Sequence, residues 1–235
     1  MIRKLDKLYE GKAKVVYKTS DPDKLILHFK DKVTAFDGLK EEERKGKGIL
    51  NNLISSLLFE ILESKGIKTH YIRRLSDREM LVWKAERFLV EVVVRNVAAG
   101  SLVKRLDFKE GEFLKTPLVE FFYKSDKLKD PLICRSHIKL MNLAPEEAIS
   151  FMEETALKVN SVLKDILKER NLLLVDFKLE FGKLPNNSVI VIDEISPDSM
   201  RIWDKKTGEK LDKDRFRYNL GDLLEGYRKI LERIS

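Results

Sequence analysis

Cysteine is nearly absent. Cys134 is the only one in 235 residues, so no disulfide can form within the chain. With just 3 histidines there is also no Cys/His cluster at zinc-ligand spacing. Free thiols favour interiors, and Cys134 is expected to be buried and structural. Proline (6) and glycine (11) are scarce, and 43% of residues are hydrophobic, which argues against disorder despite a charged fraction of 36%. No apolar run approaches the ~18 residues of a membrane span. Met1 to Gly11 is charged and lacks the apolar stretch of a signal peptide. Neither an internal repeat nor a low-complexity segment is present. The expectation is a soluble cytoplasmic protein, built as one large domain or as two small ones sharing a cleft.

What is abundant is charge. Lys and Arg number 46 against 39 Asp and Glu, a net charge of +7. A basic chain invites a nucleic-acid reading. Here the signs interleave, as from Asp21 to Lys32 and from Lys40 to Lys47, with no cationic tail and no basic stripe carrying aromatics. A mixed surface with a local site for small anions fits better, and no nucleic-acid partner is expected.

Periodicity places the elements. Leu8 to Tyr17 reads as strand, glycine turn, strand, and Lys24 to Lys30 as another strand. Gly48 to Gly66 is helical, with Ile49, Leu53, Leu57 and Ile61 four apart and Gly66 as the stop. Leu75 to Ala85 reads as a link. Phe88 to Val94 is a β-branched strand that runs into a turn from Arg95, with Ser101 near a helix cap. Leu106 to Pro131 is punctuated by turn residues and reads as short strands and loops. Pro145 to Arg170 predicts a long helix with Ile149, Met152, Ala156, Val159, Leu163 and Ile166 apolar. Asn171 to Phe181 and Ser188 to Ile195 form a hairpin, and Arg215 to Ile234 a last helix whose apolar positions include Leu220 and Tyr227.

Strand alternation puts Asp176, Lys178 and Glu180 on one face of that hairpin, with Val175, Phe177, Leu179 and Phe181 on the other. A two-residue turn at Asn186 and Asn187 would set Glu180 opposite Asp193. Opposed carboxylates repel unless a cation lies between them, and Mg2+ is the obvious candidate. The alternative is a solvent-facing polar side neutralised by Lys178. The run from Glu194 to Arg201, where acids and an arginine cluster at a strand end, favours a site. Near Gly11, Lys12 and Lys14 share a face of a hairpin that either covers a polyphosphate or is a plain surface turn. Arg95 to Ser101 either holds a phosphate or is an ordinary strand-to-helix turn.

Taken in order, YEGKAKVVY, TAFDG, KGKGILNN, VVVRNVAAGSLVKR, LVDFKLEFG, DEISPDSMRIWD and DKDRFR resemble the SAICAR synthetase (phosphoribosylaminoimidazole-succinocarboxamide synthase) family over almost the whole chain. The resemblance implies an α+β fold of two lobes with an ATP cleft between them, distantly like kinases and ATP-grasp enzymes. Residues 1–82 would be a β-rich lobe with the glycine hairpin over the nucleotide, and residues 83–235 an α+β lobe carrying the metal and ribonucleotide sites. It also implies an ATP- and Mg2+-dependent ligase of purine biosynthesis. Such an enzyme joins carboxyaminoimidazole ribonucleotide to L-aspartate through an acyl phosphate, and works as a homo-oligomer.

Matched residue by residue, Lys12 and Lys14 fall on the family's lysines over the ATP phosphates, and Trp83 and Ala85 on the hinge that meets adenine. Glu180 and Asp193 fall on its Mg2+ and nucleotide-phosphate ligands. Arg95, Ser101 and Arg201 correspond to residues binding the ribonucleotide phosphate. Asp176, Lys178 and Asp198 lie around its imidazole and carboxylate, with Asp176 or Asp198 open as the proton acceptor for the amine. Lys124 and Lys213 lie in matching substrate-binding motifs, and Asp37 is a further candidate. Lys127 to Asn142 departs from the family pattern, so the aspartate site is unassigned. A kinase with the same nucleotide machinery but another acceptor is the rival reading.

Overall fold

The computed structural model describes residues 2–235, with Asp37 described by its backbone only; the candidate role of the Asp37 side chain lies outside the described residues. The chain begins with β1 (Lys4–Glu10), β2 (Lys14–Thr19) and β3 (Lys24–Phe29), then a small ribbon of β4 (Lys32–Ala35) and β5 (Lys40–Glu43). Helix α1 (Lys47–Ser64) leads to β6 (Tyr71–Arg74) and β7 (Glu79–Trp83). These strands make an antiparallel sheet in the order β1-β2-β3-β7-β6. The expected link from Leu75 to Ala85 therefore contains β7, a central strand paired with both β3 and β6. Its apolar run, Met80 to Trp83, is too short and too uniform to show a period.

Helix α1 buries Leu50, Ile54, Leu58 and Leu62. The buried stripe is displaced by one residue from the expected Ile49, Leu53, Leu57 and Ile61, which are only partly buried. Both stripes are apolar, and packing rather than composition decides between them. The helix stops as expected, with Gly66 just beyond it at φ +77.

The second half comprises β8 (Glu86–Val97), α2 (Ser101–Arg105), β9 (Phe113–Tyr123), β10 (Leu132–Ile133), α3 (Arg135–Leu140), α4 (Glu146–Glu169), β11 (Leu172–Lys183), β12 (Val189–Ile192), β13 (Met200–Asp204), α5 (Asp214–Arg217) and α6 (Leu223–Ile234). Its sheet runs β10-β9-β8-β11-β12, with β13 on the first half of β11. Helix α4 covers one face with Ile149, Met152, Ala156, Val159 and Leu163, as its period predicts; Leu167 rather than Ile166 completes the buried stripe. The other face of β8 and β11 carries charge, and it looks toward the first sheet. Buried residues from both halves join one hydrophobic core, and α6 packs back on α1.

Four further expectations are corrected. The loop after β11 holds three residues, Pro185 to Asn187, closed by the Leu184 N–H bond to Ser188 O with Asn187 at φ +65. A three-residue loop shifts the register by one, so Glu180 faces Ile192 and not Asp193. A bulge between Leu174 and Asp176 breaks the alternation, and Val175 packs with Val97, Ala99 and Trp203 rather than with Phe177. The last helix is two, interrupted at Asn219 (φ +55) and Gly221 (φ +113), with Leu220 exposed and Asp222 capping α6. Cys134 is exposed, because it caps the N-terminus of α3 with its Sγ turned to His137 Nδ1, 3.5 Å away, instead of entering the core.

Candidate active site

Two adjoining cavities lie between the sheets. The first, about 420 Å³, runs under the β1-β2 turn. Lys12 and Lys14 line it beside Val16, Leu25, Leu27, Val82 and Trp83, with Ala85 at the crossing into β8. Its floor is the polar face of the second sheet, which contributes Lys124, Lys178, Glu180 and Asp193. The second cavity, about 340 Å³, is lined by Arg95, Asp176, Arg201 and Arg217. Lys12, Lys178, Asp198 and Lys213 face both.

The floor of the first cavity is a mesh of alternating charge. Lys124 Nζ lies 2.8 Å from both Glu91 and Glu180, and Lys178 Nζ lies 2.7 Å from Glu91 and 3.5 Å from Glu180. Burial works against both ammonium groups, yet the two glutamates outweigh it and raise their pKa values. The same balance, with the signs exchanged, holds Glu91 below the usual carboxylate range. Lys14 Nζ stands 2.9 Å from Asp193 and 2.5 Å from Glu194. Burial opposes this pair too, and Lys14 still pulls the Asp193 carboxyl far down. Asp193 adopts φ +75 just past β12, which turns it toward Lys14. Register thus separates Glu180 from Asp193, while the backbone turn returns both to one cavity.

The second cavity is held by arginines on a bed of carboxylates. Asp176 Oδ2 accepts from Arg95 Nη1 and Arg201 Nη1, each at 2.8 Å. Arg95 Nε also donates to Glu120 at 2.7 Å, and Arg201 Nε to Asp214 at 2.9 Å. Arg217 donates to Asp214 at 2.6 Å. The backbone passes directly beneath the Arg201 guanidinium at Gly100, where a Cβ would lie 2.4 Å from Nη2. At the seam of the two cavities, Asp198 takes a 2.5 Å hydrogen bond from Tyr227 and a 2.5 Å contact from the wholly buried Lys47. Burial disfavours the Asp198 carboxylate, but Lys47 and Lys213 outweigh it and hold its pKa low.

With the Asp37 side chain outside the described residues, the structure gathers on the cavity walls every other candidate from the sequence except Ser101. That residue is exposed at the first position of α2 and reaches the site only by accepting from Arg95 Nη2 at 3.0 Å. Sequence reasoning missed Lys47, Glu91, Arg217 and Tyr227, and it noted Glu194 only as the start of an acidic run, without its contact to Lys14. Glu91 carried a signal, since an acid inside the run FLVEVVV is out of place in a strand buried on both faces.

A family model described as SAICAR synthetase matches residues 7–234. The chain belongs to the SAICAR synthetase family. Its members are ATP-dependent ligases of purine biosynthesis, and this chain is one. It is 67% identical over 208 residues to a phosphoribosylaminoimidazole-succinocarboxamide synthase from Aquifex aeolicus, spanning 88% of this chain and 96% of that one. Among solved structures, the synthase from Ehrlichia chaffeensis superposes with a TM-score of 0.96 at 44% identity, over 97% of this chain and 98% of that one. A SAICAR synthetase solved in complex with ADP matches at 52% identity with a TM-score of 0.94, over 97% of each chain. The α+β architecture is thus that of the SAICAR synthetases, with a nucleotide as co-substrate.

Proposed function

We propose that the first cavity takes ATP, that the second takes carboxyaminoimidazole ribonucleotide, and that L-aspartate joins the ribonucleotide through an acyl phosphate formed at their seam. One observation carries this reading: the two cavities share a wall, with Lys178, Asp198 and Lys213 lining both. Residues 1–82 act as the lobe over the nucleotide and residues 83–235 as the lobe bearing the acceptor; the first sheet ending at Trp83 and the second starting at Glu86 support that division. Family likeness also supports a self-associating cytoplasmic enzyme. Among the described residues no helix is long and apolar enough to cross a membrane.

A carboxylate resists attack by an amine because oxide is not a viable leaving group. Its oxygen must first attack the γ-phosphorus of ATP, breaking the bond to ADP and making an acyl phosphate. Positioning and charge neutralisation drive such a transfer, and the site supplies both. Lys12 and Lys14 reach the phosphates from the β1-β2 turn, while Lys178 stands between nucleotide and acceptor. Arg95 and Arg201 hold the ribonucleotide phosphate, with Ser101 steadying Arg95. Asp176 and Asp198 fix the imidazole end, and Lys124 orders Glu180. Trp83 and Ala85 flank the adenine. The amine nitrogen of L-aspartate then attacks the acyl carbon, and phosphate leaves with the bonding pair.

Among the described residues no group of three or more His, Cys, Asp or Glu is arranged to hold a metal ion. Mg2+ needs no such cage, since one or two carboxylates with substrate phosphates suffice, and the cavity presents Asp193 beside Lys14, and Glu180 beside Lys124 with Arg87 3.9 Å away. Glu180 and Asp193 would hold it, and when bound it offsets charge on the β- and γ-phosphates.

ADP release, measured with each substrate omitted in turn, tests the reading. Sustained release should require ATP, the ribonucleotide and L-aspartate together. Full release without L-aspartate would indicate a kinase instead.

A further inference from the structure

The amine of L-aspartate arrives as an ammonium, and it must lose a proton before it can attack. Asp176 and Asp198 were the sequence candidates to take that proton. The structure commits both elsewhere, Asp176 to two guanidinium groups and Asp198 to Lys47 and Tyr227. Carboxylates are in any case far weaker bases than the amine concerned, which applies equally to Asp130 on the same walls. His70 lines only the first cavity, and burial lowers its pKa to about 4.

Lysines offer the better match, and they differ in their partners. Lys12, Lys14, Lys32, Lys124 and Lys178 all meet carboxylates within 3 Å on these walls. Lys213 faces both cavities, and among the described residues no carboxylate lies within ion-pair distance of it. We propose that Lys213 is the catalytic base of the ligase, taking the proton from the ammonium of L-aspartate at the seam between nucleotide and ribonucleotide. The inference rests on the acyl-phosphate reading above.

The charged groups facing Lys213 are Asp198 and Glu194, which favour its ammonium, and Arg217 and Lys47, which disfavour it. Burial is the largest influence, and it leaves the pKa at about 8. Roughly a tenth of the side chain is then neutral at pH 7, enough for a base working near its operating pH. One proton moves from the aspartate nitrogen to Lys213 Nζ. The nitrogen then bonds to the acyl carbon, the bond from that carbon to the bridging oxygen breaks with the oxygen staying on phosphorus, and the second nitrogen proton leaves with the phosphate.

Hydroxylamine separates this role from anion binding, because it is neutral at pH 7 and needs no base. ADP release is compared with L-aspartate and with hydroxylamine as nucleophile, in wild type, Lys213→Arg and Lys213→Gln, each checked for folding by circular dichroism. The aspartate-to-hydroxylamine rate ratio should fall about 100-fold in both variants, the low end of a general-base contribution. A ratio within about 3-fold of wild type in either folded variant would make Lys213 a binding cation and overturn the proposal. Should neither variant fold, 15N-lysine NMR of the wild-type protein decides, since Lys213 titrating like an exposed lysine would overturn it and titration near 8 would uphold it. Wild type that releases ADP with neither nucleophile would instead sink the acyl-phosphate reading itself.

Discussion

Lys47→Met isolates the contact that anchors Asp198. Lys47 is wholly buried at the start of α1, and its ammonium lies 2.5 Å from Asp198 Oδ2. Neither atom has a hydrogen bond of good angle, so the contact is chiefly coulombic. Removing one member of a buried pair costs about 3–5 kcal/mol, most of it from stranding the other charge. Tyr227 still donates to Asp198 in the variant, which places the cost near the lower bound, about 3 kcal/mol. At roughly 2–4 °C per kcal/mol for a chain of this size, the melting temperature should fall by about 6–12 °C. Adding Asp198→Asn to Lys47→Met should cost less than Asp198→Asn alone, because the stranded carboxylate is then gone. The Asp198 carboxyl is held low in the folded protein, so its contribution is present above the ordinary Asp range and lost as pH falls through the folded value. Without Lys47 that loss should begin at higher pH. Thermal melts across pH measure all three effects, and a fall of under about 3 °C would refute the reasoning.

Three other perturbations follow from the geometry. Gly100→Ala should displace Arg201, since the new Cβ would sit 2.4 Å from its guanidinium at a backbone φ of +58; equilibrium binding should show the ribonucleotide weakened at least about 10-fold, as in Arg201→Ala. Asp193→Asn keeps a residue type that tolerates φ +75, so the melting temperature should hardly move while turnover with Mg2+ falls about 100-fold. Burial opposes ionisation of Asp31, but the Arg78 fork and the Gly48 N–H hold its pKa at about 2. That contribution is present above the ordinary Asp value and disappears as pH falls toward 2, so Arg78→Ala and wild type should differ in denaturant stability at pH 7 and converge near pH 2.

Much of this site was legible because strand alternation is local. Asp176, Lys178 and Glu180 share a face in the sequence, and in the structure they line the two adjoining cavities with Lys178 common to both, while Lys12 and Lys14 follow their glycine turn onto the cavity wall. Register was not legible, since one extra loop residue at Pro185 to Asn187 moves Glu180 off Asp193 while leaving every residue type unchanged. Lys47 was hidden for another reason: inside the charged run KGKG it looks like surface, and its partner Asp198 lies 151 positions away, brought near only by tertiary packing. Tyr227 was read as an apolar helix position. Its ring is indeed buried, but its hydroxyl reaches past the core to the seam.

The positive charge in the sequence now has a location. Lys12, Lys14, Lys178, Arg95, Arg201 and Lys213 converge on one pair of cavities sized for small anions, and the acids among them keep the lysines and arginines ordered. The most direct measurement is isotope transfer. Ribonucleotide labelled with 18O in its carboxylate, turned over with ATP and L-aspartate, should deliver one labelled oxygen to each inorganic phosphate released. Phosphate formed without that label would contradict activation of the carboxylate by ATP.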